Sequence, residues 1–468
     1  MPNFTLQEII TATKGKLLWP KDNIQLTGVS IDSRTIRRNE LFIALRGENF
    51  DGHDFLNQAL ARGAGAVIVE QEPPEDLGVP VILVPDSLKA FGYLARYHRL
   101  RFSIPVIGVT GSNGKTTTKE LIASVLEQKM KVVKTEKNFN NEIGLPMTLL
   151  KIDSSTEAVV VEMGMRGKGQ IEYLANIARP NFGVVTNVGL THLELLGTKQ
   201  AIFETKAELI QSLPSGGIAI LNGDDPLVAK MANFFSGKSF FYSLGGQYSI
   251  PGIEPALWVK ETFSRENGEE VKVDGKWGEF RFLLPLVGRH NITNALAASI
   301  VGLALDVTPQ GIVEGLQGVS MVNNRLRQLE VDGITILDDT YNASPASVQV
   351  ALEVLDKLKN PGRKIAVLGD MLELGKITIQ AHQQIGELVA TNNCSGLFAY
   401  GPASKEAVRV AKSKGIFAQH FSDKEELWES LRRFLNSGDA VLIKGSRGMK
   451  MEEIVNKMLC QTREEKIR

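Results

Sequence analysis

Residues Thr110 to Thr118 read TGSNGKTTT and follow the apolar run PVIGV. Gly111 and Gly114 let a strand-to-helix turn aim main-chain amides at an anion, and a helix opening there adds partial positive charge. Lys115 is placed to neutralise terminal phosphate oxygens, and the Thr116 hydroxyl to reach Mg2+. The general phosphate-loop pattern has its first glycine five positions before Gly-Lys. Here that position is Val109, so the loop is a shorter G-x-x-G-K-T form. Glu162 closes the apolar run EAVVVE, and a carboxylate at a buried strand tip suits a metal ligand beside phosphates. An exposed strand-end Glu is an equally good reading of that placement alone.

His192, in TNVGLTHLELLG, follows another apolar run, although a single His is more often structural. Lys206 lies in KQAIFETKAEL, where composition favours one charge on a solvated helix face above Ile202 and Ile210. GRHNITNALAA, Gly288 to Ala298, puts His290, Asn291 and Asn294 at a helix start. The Asn291 and Asn294 amides could meet an adenine edge or cap a core helix. His98, His382 and His420 stand in no polar constellation.

The elements that must position these residues follow from periodicity. Residues 1–103 mix short strands with two helical stretches, and Thr5 with Glu8 forms a capping box opening the first helix. FLNQALARGAGAVIV reads as helix, glycine break and buried strand. From Pro105 a strand–turn–helix rhythm begins, with PVIGVT, EAVVVEMG, NFGVVTNVG and GGIAILNGDD as buried parallel strands. After Val319 it restarts with GITILDD, RKIAVLGD, LFAYG and DAVLIKGS. Asp338, Asp339, Asp370 and Lys444 sit at strand C-termini, the edge where open α/β sheets bind ligands. The expected architecture is α/β in three domains. Residues 1–103 form a small substrate-binding domain, 104–318 a central, mostly parallel-sheet ATPase domain of the P-loop type, and 319–468 a Rossmann-like domain. Two ligand-facing edges are expected to oppose one another.

Composition bounds the class. The 468 residues are 43% hydrophobic and 23% charged, and 53 basic residues balance 53 acidic ones. A neutral chain disfavours coating of nucleic acid or an anionic membrane. The longest apolar stretch, Ala295 to Leu305, falls short of the ~20 residues a bilayer span needs. Two cysteines, Cys394 and Cys460, exclude a disulfide framework. A soluble, cytosolic protein is expected, working as a monomer without nucleic acid or membrane insertion. A nucleotide-driven switch or a non-catalytic sugar-nucleotide binder explains the phosphate loop less well, because neither needs the candidate metal ligands.

In this order, TGSNGKTTT, EMG, TNVGLTHLELLG, the Lys206 segment, GRHNITNALAA and DDTYNASP resemble the Mur ligases of bacterial cell-wall synthesis. NFNNEIGLP, LGDMLELG and GSRGMKME resemble the branch that appends D-alanyl-D-alanine to UDP-N-acetylmuramoyl-tripeptide, at the cost of ATP and through an acyl phosphate. The resemblance implies that Gly111, Ser112, Asn113, Gly114, Lys115, Thr116 and Thr117 hold ATP phosphates. It implies Asn291 and Asn294 at the adenine and Asp339 at the ribose. It places Arg325, in preference to Arg327, at the γ-phosphate. Thr116 and Glu162 would bind one Mg2+ and His192 would help with a second, with Lys206 carbamylated into a metal-facing anion. Lys115, Lys206 and His192 would be the catalytic set. Ser33, Arg34, Asp51, Gly52, His53, Asn140 and Asn141 would hold the uridine nucleotide. Asn342, Ser344 and Arg447 are candidates for the dipeptide from strand-end placement.

Overall fold

The computed structural model describes residues 2–19, 24–47, 50–245, 254–265, 267–319, 326–358 and 362–465. Among these, the strands gather into three larger sheets and one short antiparallel pair, Phe4–Thr5 with Gln25–Leu26. The first large sheet has the order Lys16–Leu17, Val81–Leu83, Ala66–Val69, Leu41–Ile43, Val29–Ser30, parallel except at the first pairing. Thr5 caps Leu6–Thr13 in a reciprocal box with Glu8, as expected. Three α-helices rather than two serve this unit, because Asp86 also caps a helix, Ser87–Arg99, by accepting from the Lys89 N–H.

The second sheet runs Val132–Lys134, Ala158–Glu162, Val106–Thr110, Phe182–Val185, Ile218–Asn222, Lys238–Ser243, Leu257–Arg265 in parallel. It then turns antiparallel through Gly268–Gly275 and Phe280–Leu284. Sequence reading found no strands in that last meander. The reason is physical: most of Leu257–Arg265 is exposed, so it lacks the continuous apolar run that marks a strand buried on both faces. Val106–Thr110 and Ala158–Glu162 are buried throughout. Alternate residues feed two cores. Ile107, Val109 and Val160 pack with Leu121, Leu296 and Ile300 on one side. Val106, Val159 and Val161 pack with Leu174, Ile177 and Leu209 on the other.

The third sheet has the order Arg327–Val331, Ile334–Asp339, Ala440–Lys444, Lys364–Gly369, Gly396–Tyr400, Phe417–Phe421, parallel except at its first pair. No described helix is long and apolar enough to cross a membrane.

Helix Lys115–Leu126 is held against the central sheet by Pro309–Gln317, which approaches so closely that a Cβ on Gly315 would lie 2.6 Å from Val125 Cα. Backbone cannot yield as a flexible side chain does. Gly315→Ala is therefore expected to lower stability by about 1–3 kcal/mol in denaturant unfolding. Gly216→Ala, with nothing within 4 Å of the added carbon, should leave the midpoint unchanged.

Candidate active site

The phosphate loop leaves the buried strand Val106–Thr110 and enters helix Lys115–Leu126. Gly111 has φ 151° and a Cβ there would sit 1.8 Å from Thr186 Oγ1, so only glycine fits. Gly114 opens the helix at φ 83°. The Ser112 N–H donates to Asn187 O at 3.0 Å and the Asn113 N–H to Asn187 Oδ1 at 3.0 Å. Thr186 Oγ1 donates to Asn113 O at 2.6 Å. The loop is thus strapped to the turn after the next strand. Two of the amides expected to face phosphate are bonded to Asn187, which leaves the helix N-terminus and Lys115 as the main anion-facing features. Lys115 Nζ folds back onto Gly111 O at 2.8 Å.

Thr116 Oγ1 donates to Glu162 Oε2 at 2.7 Å, and Asn140 Nδ2 donates to Glu162 Oε1 at 2.7 Å. The strand-end Glu is therefore a buried member of the loop's surroundings and not an exposed residue. Its backbone is held as well, since the Glu162 N–H donates to Thr135 Oγ1 at 3.0 Å. Fully buried Lys119, one turn beyond Thr116, donates to Thr135 O and pairs with Glu120 at 2.7 Å. Sequence reading missed Lys119, in an ordinary helical pattern, and Thr135, just past the strand Val132–Lys134, because neither carries a local signal.

His192 sits at φ 55° heading the short helix Leu193–Leu196, and its Nδ1 meets Glu373 Oε2 at 2.5 Å. Burial holds His192 below its ordinary value, against the raising pull of Glu373, while Lys115 and Lys206 add repulsion. Lys206 overturns the solvated-face reading. It is 1% exposed in helix Lys199–Gln211, and its Nζ makes no hydrogen bond to another described residue. Burial, with repulsion from Lys115, pushes its amine well below the usual lysine range.

The C-terminal ends of the third sheet's strands face this loop. Ser344 caps helix Pro345–Lys357, and its Oγ donates to Asn113 Oδ1 at 3.1 Å. Buried Lys444 pairs with Asp339 and donates to Asn342 O at 2.8 Å. Arg447 is exposed and pairs with Glu452 at 2.9 Å. Asn291 Nδ2 donates to Val287 O at 2.9 Å, clipping the start of helix Arg289–Ala304. Asn294 lies against Gly114, its Oδ1 2.7 Å from where a Cβ there would be. Half-buried His290 is pushed down to about 4 by desolvation, with Lys444 contributing. Arg325 lies outside the described residues; Arg327 opens the strand Arg327–Val331.

The residues expected at a uridine nucleotide are divided between two places. Ser33 Oγ donates to Gln58 Oε1 at 2.6 Å, and Arg34 grips Asp32 on the surface. Asp51 caps the 3-10 turn Gly52–Phe55 and bonds His53 Nδ1 at 2.6 Å, which holds its carboxyl at about 2. His53 Nε2 accepts from the Glu70 N–H at 2.9 Å. A Cβ on Gly52 would lie 2.7 Å from the Leu45 backbone. Asp51, Gly52 and His53 thus build their loop. Asn140 lies at Glu162, and Asn141 Oδ1 accepts from the Gly144 N–H at 2.9 Å.

Three family models match consecutive parts of the chain: "Mur ligase family, catalytic domain" over 25–99, "Mur ligase middle domain" over 109–302, and "Mur ligase, glutamate ligase domain" over 324–447. The chain is 36% identical over 466 residues to the UDP-N-acetylmuramoyl-tripeptide–D-alanyl-D-alanine ligase of Bacillus subtilis (strain 168), covering 97% of this chain and 98% of the relative. The chain belongs to the Mur ligase family. Its backbone matches a crystal structure of MurF from Acinetobacter baumannii at TM-score 0.89 and 29% identity, covering 98% of this chain and 99% of that one. It matches the MurF ligase of Thermotoga maritima, solved in complex with ADP, at TM-score 0.83 and 32% identity, covering 93% and 98%.

The donor set of this Mur ligase fits a hard divalent cation. Among the described residues no three His, Cys, Asp or Glu side chains converge to hold a metal unaided. Mg2+ takes one or two carboxylates and fills its octahedron with water and substrate phosphates, and Glu162 with the Thr116 hydroxyl supplies oxygen donors of that kind. Thr116 and Glu162 already touch. Lys206 fits a carbamate, because only a neutral amine attacks CO2 and burial disfavours the charged form of this one.

His290 yields a signed pH effect. Between pH about 4 and 6.5 the unfolded chain binds its proton and the folded chain does not. Its contribution to stability is therefore lost as pH falls through that window, at up to about 1.4 kcal/mol per pH unit for one proton. Denaturant unfolding at stepped pH should show a shallower acid slope for His290→Gln than for the parent.

Proposed function

We propose that this chain is an ATP-dependent carbon–nitrogen ligase of peptidoglycan precursor synthesis, joining D-alanyl-D-alanine to UDP-N-acetylmuramoyl-tripeptide in the cytoplasm. The observation that carries the reading is the meeting of two strand-end edges, with Asn113 of the phosphate loop bonded to Ser344 of the third sheet's unit. Family membership and the names of its relatives support the same substrates. In this reading residues 1–103 hold the uridine nucleotide, 104–318 hold ATP and 319–468 close over the reacting groups.

The tripeptide carboxylate attacks the γ-phosphorus of ATP, the bond to ADP breaks, and an acyl phosphate forms. The dipeptide amine then attacks the acyl carbon, phosphate leaves, and the amide nitrogen gives its extra proton to water. An α-amine pKa near ~8 leaves a usable neutral fraction at pH 7, so no strong base is needed. Gly114 to Thr117 at the helix N-terminus meet the phosphates, Gly111, Ser112 and Asn113 shape the turn that presents them, and Lys115 moves from Gly111 O onto them. Asn291 serves the adenine side while Asn294 backs Gly114. Asp339, positioned by Lys444, serves the ribose, and Arg325 the γ-phosphate. Ser33 and Arg34 line the uridine site that Asp51, Gly52 and His53 shape, while Asn140 and Asn141 meet the same substrate from the central unit, next to Glu162. Asn342, Ser344 and Arg447 face the dipeptide. Thr116, Glu162, His192 and a carbamylated Lys206 would hold Mg2+, whose charge offsets the repulsion between carboxylate and triphosphate.

Mass spectrometry of products from ATP, Mg2+, nucleotide tripeptides and a dipeptide panel tests the reading. ADP release is expected to require both peptide substrates, and release as fast without them would overturn it. Lys115→Ala should lose at least about 100-fold in turnover with an unchanged unfolding midpoint.

Lys206→Ala should also lose turnover and regain part of it with a short carboxylic acid. With 13C-bicarbonate, the parent should give a carbamate carbon resonance that the variant lacks. Its absence from the active parent would remove the carbamate.

A further inference from the structure

The loop after strand Lys364–Gly369 reaches across to the central unit and touches it at His192 and Glu194. Glu373 Oε2 lies 2.5 Å from His192 Nδ1, and the Glu194 N–H donates to Glu373 O at 3.1 Å. Gly375, at φ 55°, packs against Glu194: a Cβ there would lie 3.1 Å from Glu194 Cα. Both partners of the side-chain bond have left-handed backbones without being glycine, His192 at φ 55° and Glu373 at φ 62°. Such conformations persist only where the surroundings impose them, and they gather at functional sites. A docking contact needs only the backbone bond and the close fit at Gly375. The side-chain bond does something more specific. An ionised carboxylate only accepts, so Nδ1 must carry the proton, and the other ring nitrogen is left with its lone pair.

We propose that Glu373 is a positioning residue that fixes the ring orientation and tautomer of His192, so that Nε2 is presented to a metal only when the third sheet's unit is docked on the central one. The inference rests on the ligase reading only in taking His192 as metal-facing. Carboxylates behind a ligating imidazole commonly act this way, and here the carboxylate comes from a different sheet unit, 181 residues along the chain. Docking would then assemble the site, and an open molecule holding ATP would keep His192 unoriented. This ties phosphoryl transfer to the state in which water is excluded from the acyl phosphate.

The test compares full-length parent, Glu373→Ala and Glu373→Gln. Nitrogen NMR of histidine-labelled protein, with His192→Gln identifying the resonance, reads the tautomer directly. The parent should show a protonated Nδ1 and a bare Nε2, and Glu373→Ala should lose that preference. Calorimetry of ADP with and without Mg2+ gives the gain in affinity due to the metal. In Glu373→Ala that gain is expected to fall about 10- to 100-fold, with metal-free ADP binding, the KM for the uridine nucleotide and the unfolding midpoint unchanged. Glu373→Gln keeps an acceptor for Nδ1–H and should retain the parental tautomer. It carries the test if the alanine variant does not fold, because tautomer loss in it would overturn the proposal. An unchanged tautomer in Glu373→Ala, or equal weakening of ADP with and without Mg2+, would also overturn it. Failure of the parent to make the amide would instead strike the ligase reading, and leaves the NMR and calorimetric outcomes to judge Glu373.

Discussion

A carboxylate and a triphosphate must be pressed together before they can react, and they repel. Two unit charges 4 Å apart cost about 4 kcal/mol at an effective dielectric of ~20, and a triphosphate carries several. The architecture around residues 110–118 answers that repulsion. A buried strand delivers a glycine turn into a helix N-terminus, Lys115 hangs over the turn, and Glu162 and Thr116 stand where a divalent cation would add charge. The strap from Thr186 and Asn187 holds the turn in place, so the helix N-terminus that follows it needs no rearrangement when charge arrives.

The same constraint explains why two sheets present their strand C-termini to one another. An acyl phosphate must meet an amine before it meets water. Ser344 against Asn113 and Glu373 against His192 join the two edges by side chains whose own elements are firmly held. Ser344 is the cap of a thirteen-residue helix, so its hydroxyl position is inherited from the helix axis. Family likeness alone does not supply this; it follows from which residues stand at the strand ends.

Three lysines are buried among the described residues, and they are accommodated differently. Lys119 donates to Thr135 O and pairs with Glu120. Lys444 pairs with Asp339 and donates to Asn342 O. Lys206 has no such partner among the described residues. An unpaired ammonium in that setting costs several kcal/mol, so burial pushes the amine toward its neutral form. The first two lysines brace backbone and carboxylates around the cleft. The third is braced by neither kind of contact among the described residues, and its charged form is disfavoured.

Much of this was legible in the residue order. Glycine spacing marked the phosphate loop, continuous apolar runs marked the buried strands, and Thr5 with Glu8 marked the first helix, because each depends on backbone geometry within a few residues. The exposed meander after Lys238–Ser243 was not legible, since half-exposed antiparallel strands carry little periodic signal. Composition alone misplaced Lys206 for a related reason. A charge-rich helix looks solvated, and only the packing of neighbouring elements buries one of its charges. Asn187 on the loop amides, Lys119 behind Glu162 and Glu373 on His192 are all pairings between distant segments. The sequence alone determined which short segments become strand, turn or helix, and so where phosphate chemistry is possible. The tertiary structure alone decided which charges are buried and which side chains meet, because desolvation and pairing depend on neighbours that local sequence does not specify.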